Sequence, residues 1–361
     1  MELPRITDLA ARQAIDSTRL FREYVRVRRE LDALDGSLFF KKVGTYEYLL
    51  HKVRGVIHRK GKRSPATEAE RAEFQATKHR LKARLEILKT NVEINQRMNK
   101  AVQAGAVPTE VIEVLTQLEQ HGLADKSVIL GWPALYAYSQ SSGVKLDSVK
   151  LEGQKGALLE RHPDALRVLV QSPRNGPTDL LRQLKHSLRA VAEVEASAAP
   201  HSPWWDLNVR FATAMPRVAA KTKASAKTRK FPEKGLAAAK ARKVMTLRVN
   251  AAASQHAAHT DAWVKLLVRA PTYEQVVVGK TGKMAVMRTL DPQVFVSWEH
   301  ALQLRRGKCA DSEQTEQKIR LVEGLLESSM VTSKLDAAAS EALNNEVLAL
   351  AAAGEVALDR V

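Results

Sequence analysis

Two short stretches combine residue types that can bind phosphate or bases. VVVGKTGK contains Gly279, Lys280 and Thr281, which resemble the end of a phosphate-binding loop. Such a loop needs a glycine five positions earlier so that backbone N–H groups can surround the phosphates. That position is Glu274, whose carboxylate would repel them. The pattern therefore predicts a hairpin turn and not a phosphate loop.

The paired indoles of Trp204 and Trp205 could stack on a base or pack a loop against the body of the protein. A metal could in principle be held by His256, His259 and Asp261, because imidazole and carboxylate groups are metal ligands. Their spacing matches no structural zinc pattern, and the neighbouring alanine and glutamine residues indicate a surface segment. We predict no metal site there.

No short sequence pattern of a catalytic nucleophile and its base is present either. No Ser-His-Asp or Cys-His set stands out by spacing, although the members of a triad can be far apart in sequence. Cys309 is the only cysteine, so the chain cannot form an internal disulfide or a zinc-binding thiolate cluster. A lone cysteine fits a reducing compartment.

The first elements of the chain can be read from local patterns. Apolar residues recur at helical spacing over residues 7–34, which predicts an amphipathic helix. SLFFKKVGTYEYLLHKVRGVIHRKG is rich in β-branched and aromatic residues and is interrupted by Gly44 and Gly55. This composition predicts short antiparallel strands.

A long charged helix is predicted next, extending to about residue 104. Ser64 lies directly before a proline, and Thr67 lies three residues before Glu70, which predicts a capping box at its start. A short helix is expected over residues 108–122.

The pattern then changes to short apolar runs. We predict a strand at residues 128–130, a turn at Gly131, a short helix, and a second buried strand at DALRVLVQSP. TDLLRQLKHSLRAVAEVEAS predicts an amphipathic helix capped by Thr178, and AWVKLLVRAP a third strand. YEQVVVGKTGKMAVMRTL predicts a hairpin, and the chain from residue 292 onward is expected to be helical.

The charge of the chain is its most unusual bulk property. It has 57 lysine and arginine residues against 40 aspartate and glutamate residues, for a net charge of +17. Residues 217–243 contain a single acidic residue and few apolar side chains, which predicts a mobile basic loop or linker. The polyanion-binding residues predicted there are Lys221, Lys223, Lys227, Arg229, Lys230, Lys240, Arg242 and Lys243.

Several of these segments, read in order, resemble a known family. LDGSLFF, KVGTYEYLLHK, GKRSPATEAERAEFQATKHRLKARL, LEQHGLADKSVILGWPALYAYSQSSGV and LDPQVFVSWEHALQLRR look like a family of bacterial nucleotidyltransferase-fold proteins. That family is distantly similar to the AbiEii-type toxins. The resemblance covers residues 30–145, is thin over 160–270, and resumes over 271–327. It implies a small mixed sheet flanked by helices.

The resemblance also implies where an active site would lie. Active members bind nucleotide phosphates at a Gly-Ser or Gly-Thr turn and hold two Mg²⁺ ions with strand carboxylates. Here Trp132 and a proline follow Gly131, and the second strand offers only Asp164 as a carboxylate before it. The third strand would place Lys265 where the family has an aspartate. Under a shifted register, the remaining acids are Asp147, Glu152, Asp179 and Asp261.

The sequence thus predicts an α+β protein with a nucleotidyltransferase-like small mixed sheet flanked by helices, a helical N-terminal region with a β-hairpin, and a helical C-terminus. The predicted domains are 1–125, 126–290 and 291–361. We expect a cytoplasmic, catalytically degenerate protein that needs no cofactor and binds nucleic acid or an acidic protein, but no membrane.

Two alternatives stay open. The chain could be an active Mg²⁺-dependent nucleotidyltransferase, with Asp164 as a catalytic residue and Gly131 and Trp132 binding the nucleotide. It could instead be an oligomerising protein that uses helices near 67–104 and 312–350.

Overall fold

A computed structural model describes residues 3–146, 165–171, 191–198, 204–211, 246–251, 255–306 and 310–352 of the 361-residue chain. Within these residues the chain forms a mixed α/β fold with two sheets. No described helix combines the length and apolar character needed to cross a bilayer.

The chain divides into two compact units. The smaller unit comprises Arg5–Pro108 and Gln275–Val286, and the larger unit comprises Met1–Pro4, Thr109–Glu274 and Met287–Val361. The predicted domain boundaries stay a prediction.

The smaller unit is built from two long helices and a three-stranded meander. Its elements are α1 (Asp8–Ala33), β1 (Ser37–Val43), β2 (Tyr46–Val53), β3 (Val56–Lys62) and α2 (Pro65–Ala101). The strands pair antiparallel in the order β1-β2-β3, which confirms the sequence prediction for this region.

The start of α2 differs in detail from the prediction. The capping box joins Ser64 and Thr67, whose side chains each accept a backbone N–H of the other residue. The prediction that Thr67 and Glu70 form the box is wrong. Pro65 begins the helix, because a proline with no N–H is tolerated in the first turn, and the cap therefore lies one residue before it.

Apolar packing and a buried polar network hold the helices of the smaller unit together. Phe21 and Val25 of α1 pack with apolar residues of the segment 275–286. Ser17 of α1 donates a 2.7 Å hydrogen bond to the amide oxygen of Asn99 on α2. Because both side chains are buried, leaving either one unpaired would destabilise the unit.

The second sheet is seven-stranded and mixed, in the order β8-β6-β7-β5-β4-β10-β9, and its first five strands in that order lie in the larger unit. The strands are β4 (Ser127–Leu130), β5 (Ala165–Gln171), β6 (Val191–Ala198), β7 (Trp204–Phe211), β8 (Thr246–Ala251), β9 (Thr272–Val278) and β10 (Met284–Leu290). The pairs β4–β10 and β6–β8 are parallel. The tip of the β9–β10 hairpin belongs to the smaller unit.

The α-helices that the structure describes in the larger unit are α3 (Thr109–Gln120), α4 (Ala134–Ser142), α5 (Gln255–Arg269), α6 (Pro292–Arg306), α7 (Ala310–Glu327) and α8 (Ala337–Ala352). Trp263 of α5 and Trp298 of α6 are buried, with ring centroids 4.8 Å apart and planes at 71°. Such an edge-on arrangement suits the charge distribution of aromatic rings.

Two secondary-structure predictions for the larger unit are wrong. AWVKLLVRAP is not a third strand but the end of α5. Its buried residues Trp263, Leu266, Leu267 and Ala270 have the i, i+3, i+4, i+7 spacing of a helix, and Lys265 lies on the exposed side. Lys265 therefore replaces no strand carboxylate.

The second error concerns the end of TDLLRQLKHSLRAVAEVEAS, where Val191–Ala198 forms β6 and not a helix. Pairing with β7 and β8 on its two sides outweighs the helical preference of alanine and glutamate. Thr178 and the rest of that predicted helix lie outside the described residues.

Candidate nucleic-acid interface

The predicted turn after the first strand is present at the end of β4. Gly131 has φ of 72°, a left-handed conformation that favours glycine. The N–H of Ala134 donates to the carbonyl of Gly131 at 3.0 Å, and the N–H of Leu135 donates to the carbonyl of Trp132 at 3.1 Å. Pro133 has no N–H. These first helical donors are therefore engaged inside the turn.

An acid that the sequence analysis did not single out follows the neighbouring strand. β4 and β10 are parallel, with Ile129 opposite Thr289, so Asp291 follows β10 at the same sheet edge as Gly131. The Asp291 carboxylate is buried and accepts hydrogen bonds from the backbone N–H of Gln293.

The same carboxylate also anchors a distant loop. It accepts hydrogen bonds from the Ser333 hydroxyl at 2.6 Å and from the backbone N–H of Lys334 at 2.8 Å. Asp291 thus caps α6 and holds the segment between α7 and α8. The predicted helical stretch 312–350 is two helices, and the segment that Asp291 anchors lies between Glu327 and Ala337.

Most of the predicted site residues lie outside the described residues. This holds for Asp164, for the alternative acids Asp147, Glu152 and Asp179, and for all eight predicted polyanion-binding residues: Lys221, Lys223, Lys227, Arg229, Lys230, Lys240, Arg242 and Lys243. The proposed roles of Gly131 and Trp132 in nucleotide binding stay predictions.

The weaker motifs have definite places in the fold. Trp204 and Trp205 begin β7 and pair with β5, so they do not lie in a loop. His256, His259 and Asp261 lie on α5. Among the described residues there is no cluster of three or more histidine, cysteine or acidic side chains that could hold a metal.

The GKTGK stretch forms the turn of the β9–β10 hairpin, as predicted. The N–H of Gly279 donates to the carbonyl of Lys283 at 2.8 Å across the turn.

Positive charge is concentrated in the smaller unit. Its residues include 25 lysine and arginine side chains and only 12 aspartate and glutamate side chains. The unit therefore carries +13 of the net charge of +17 on less than a third of the chain. A surface of this charge attracts polyanions over distances of about 10 Å at 0.1 M salt.

The inner face of the meander packs on α2, and carboxylates pair with two basic residues near it, Lys60 and Arg63. The rings of His51 and Phe74 meet edge-on with centroids 5.9 Å apart. Arg63 follows β3 and forms ion pairs with Glu47 at 2.5 Å and Glu68 at 2.6 Å. Lys60 of β3 is paired as well, because its ammonium lies 3.5 Å from the carboxylate of Glu70 on α2.

The outer face of the meander is different, because its cations have no carboxylate partner among the described residues. Strand register defines this face as three cross-strand rows and one pair: Ser37-Lys52-Ile57, Phe39-Leu50-Arg59, Lys41-Tyr48-Lys62 and Val43-Tyr46. No acidic residue belongs to any row. The four cations are exposed and lie within a patch of about 10 by 13 Å, from the spacing of strands and residues.

Aromatic rings hold two of these cations in place. The Arg59 guanidinium carbon lies 3.3 Å from the centroid of the Tyr48 ring, and the Lys62 ammonium lies 4.0 Å from that of Tyr46. A cation over an aromatic face gains about 0.5–1 kcal/mol at an exposed site. The two charges are therefore positioned before any ligand arrives.

Apolar side chains on the same face are unusually exposed. Val43 and Tyr46 are each 54% exposed, and Ile57 is 52% exposed. The outer face is thus a surface of unpaired cations interleaved with apolar groups, a composition that suits contact with phosphates and bases.

The turn between β2 and β3 has an arginine in a conformation that arginine rarely adopts. Arg54 has φ of 48° and Gly55 has φ of 86°, as in a two-residue type I′ turn. Asparagine is preferred at the first of these positions, and a side chain such as arginine is strained there by about 1–2 kcal/mol. The exposed guanidinium contacts Asp35 at 3.2 Å.

Sequence reasoning identified these strands but not the interface. The signal was present in the alternation of aromatic and basic residues along 39–62. It could not be used without the register, because only the register shows which cations share a face and which oppose a carboxylate.

Comparison of the chain with protein-family models, with curated proteins and with solved structures finds no match. The resemblance to nucleotidyltransferase-fold proteins stays a prediction from the sequence. The function must therefore be inferred from the geometry of the chain itself.

Proposed function

We propose that this protein binds nucleic acid through the outer face of the meander. The observation that supports this function is a group of four exposed cations on one sheet face whose cross-strand rows contain no acidic residue. Lys60 and Arg63 are neutralised by carboxylates, whereas Lys41, Arg59 and Lys62 have none within the described residues. A surface that only kept the protein in solution would not need to exclude acids from one face.

Nucleic acid fits this face better than an acidic protein does. Contact with phosphates uses cations, and contact with bases uses apolar and aromatic groups between them. Tyr46 and Ile57 supply such groups beside Lys62 and Arg59. The basic segment 217–243 is proposed as a second, sequence-independent contact to the phosphate backbone.

The test is binding of a fluorescein-labelled 20-nucleotide DNA, single-stranded or duplex, measured by anisotropy at several salt concentrations. The proposed function predicts binding that weakens steeply with salt, because each cation releases a counterion. Poly-glutamate of matched charge serves as a competitor and should displace DNA weakly. Salt-insensitive binding, or displacement by poly-glutamate as effective as that by unlabelled DNA, would contradict nucleic-acid recognition.

We further propose that binding occurs without nucleotidyl transfer. Support comes from the turn at Gly131, whose first helical N–H groups are engaged, and from Asp291, whose carboxylate is occupied by structural hydrogen bonds. The test is incubation with labelled nucleoside triphosphates and Mg²⁺. Incorporation of label that is lost in Asp164→Asn would refute this proposal and support the active-enzyme alternative.

A further inference from the structure

We infer that the outer face of the meander binds in the major groove of duplex DNA. This inference rests on the proposed function and specifies its ligand. It depends on the interleaving of unpaired cations with two exposed aliphatic side chains, Val43 and Ile57, on one sheet face.

The state of the tyrosine rings argues against a single strand. Proteins that bind single strands without sequence preference stack bases on open aromatic faces. On this face the Arg59 guanidinium covers the Tyr48 ring, which is only 8% exposed. Lys62 occupies one face of the Tyr46 ring. The Tyr48 ring is therefore closed to bases, and Tyr46, which is 54% exposed, keeps a single open face for stacking.

The size of the sheet suits the major groove of B-form DNA. Neighbouring strands lie about 5 Å apart, so two adjacent strands of the meander form a ribbon that the major groove, about 12 Å wide, can admit. Sheets and ribbons are known to enter DNA grooves. The corresponding groove of duplex RNA is too deep and narrow for side chains to read.

The exposed aliphatic groups favour DNA for a chemical reason. The thymine methyl group is the apolar feature of the major groove, and uracil lacks it. Ile57 lies in the same cross-strand row as Lys52 and next to the row of Arg59. Its position allows the aliphatic group to contact a methyl while the cations contact the flanking phosphates.

The experiment compares four probes of one T-rich sequence with the full chain: duplex DNA, the same duplex with uracil in place of thymine, duplex RNA, and single-stranded DNA. Affinities are measured by fluorescence anisotropy at one salt concentration. We expect duplex DNA to bind most tightly, with a loss of about fourfold for each methyl contact removed by uracil.

Two single substitutions test whether Ile57 is the side chain that contacts the thymine methyl group. Ile57→Ala should lower the preference for the thymine duplex over the uracil duplex by about fourfold, the value of one methyl contact. Val56→Ala is the matched control, because Val56 is the adjacent residue, is 57% exposed, and points to the opposite side of the strand. This variant should keep the preference for thymine. Both changes are at exposed positions, and equal thermal unfolding temperatures will show that both variants fold.

Each other outcome has a definite meaning. Equal affinity of the wild-type chain for the thymine and uracil duplexes overturns the major-groove inference, as does RNA duplex or single-stranded DNA binding as tightly as duplex DNA. Those results leave the proposed function standing. Failure to bind any of the four probes overturns both.

Discussion

The salt dependence of DNA binding is the most direct test of the outer face. We consider the triple variant Lys41→Gln/Arg59→Gln/Lys62→Gln, which removes three of the four unpaired cations. In duplex binding each phosphate contact contributes about 0.9 to the slope of log K against log salt. The triple substitution should therefore make the slope less steep by about 2.7.

The expected loss can be stated as an affinity. A contribution of about 2.7 to the slope corresponds to a roughly 40-fold weakening of DNA affinity when salt rises from 50 to 200 mM. The affinity of the triple variant should therefore fall by about 40-fold less than that of the wild type over the same range. The assay is an anisotropy titration of a 20-bp duplex at four salt concentrations. The contribution of the basic segment 217–243 is present in both proteins and cancels in the comparison.

The control has the same change in net charge but uses paired cations. It is Arg26→Gln/Lys60→Gln/Arg63→Gln, whose cations form ion pairs with carboxylates in the structure. We expect its slope to change by less than about 1 because neutralised cations release few counterions. If the two variants lower the slope equally, then net charge and not the arrangement of the outer face controls binding, and the reasoning is refuted.

Three further predictions concern stability. Arg54→Asn should raise the free energy of unfolding by about 1 kcal/mol in a urea titration, because asparagine tolerates the left-handed conformation of this position. A decrease would mean that the lost ion pair with Asp35 outweighs the relief of backbone strain. Burial raises the pKa of the Tyr138 hydroxyl well above its ordinary value. The stabilisation that comes from this shift is complete below about pH 10, where tyrosine is protonated in both the folded and the unfolded chain. Above about pH 10 the free energy of unfolding should fall by about 1.4 kcal/mol per pH unit, because only the unfolded chain loses the proton. Tyr138→Phe should flatten this alkaline loss, and an unchanged pH profile would show that another group causes it. Lys318→Met should lower the free energy of unfolding by about 3–5 kcal/mol, because it leaves the buried carboxylate of Glu299 without its ion-pair partner at 2.5 Å. Adding Glu299→Leu should restore most of that loss. Equal stability of the single and the double variant would contradict this prediction.

Local patterns were sufficient for the elements whose signals lie within the segment itself. The helix Asp8–Ala33 has apolar residues at helical spacing, and the meander has glycines at its turns. The hairpin around Gly279 could be distinguished from a phosphate loop because the rule depends only on residue spacing.

Local patterns failed where neighbouring elements decide the outcome. Val191–Ala198 is a strand because β7 and β8 pair with it on its two sides, and β8 begins more than forty residues later in the chain. The short apolar run at Trp263 is compatible with both a strand and a helix, and its burial pattern resolves the ambiguity. Asp291 was missed because its three hydrogen-bond donors include Ser333 and Lys334, more than forty residues away.

The amino-acid sequence alone determined the large positive charge, the positions of most helices and strands, and the absence of a phosphate-loop motif. Only the tertiary structure decided which cations are unpaired. Arg63 meets Glu47 across the sheet, whereas Lys41 faces Tyr48 one strand away. The physical reason is that ion pairing depends on separations of a few ångströms, and strand register sets these separations between residues that composition alone cannot relate.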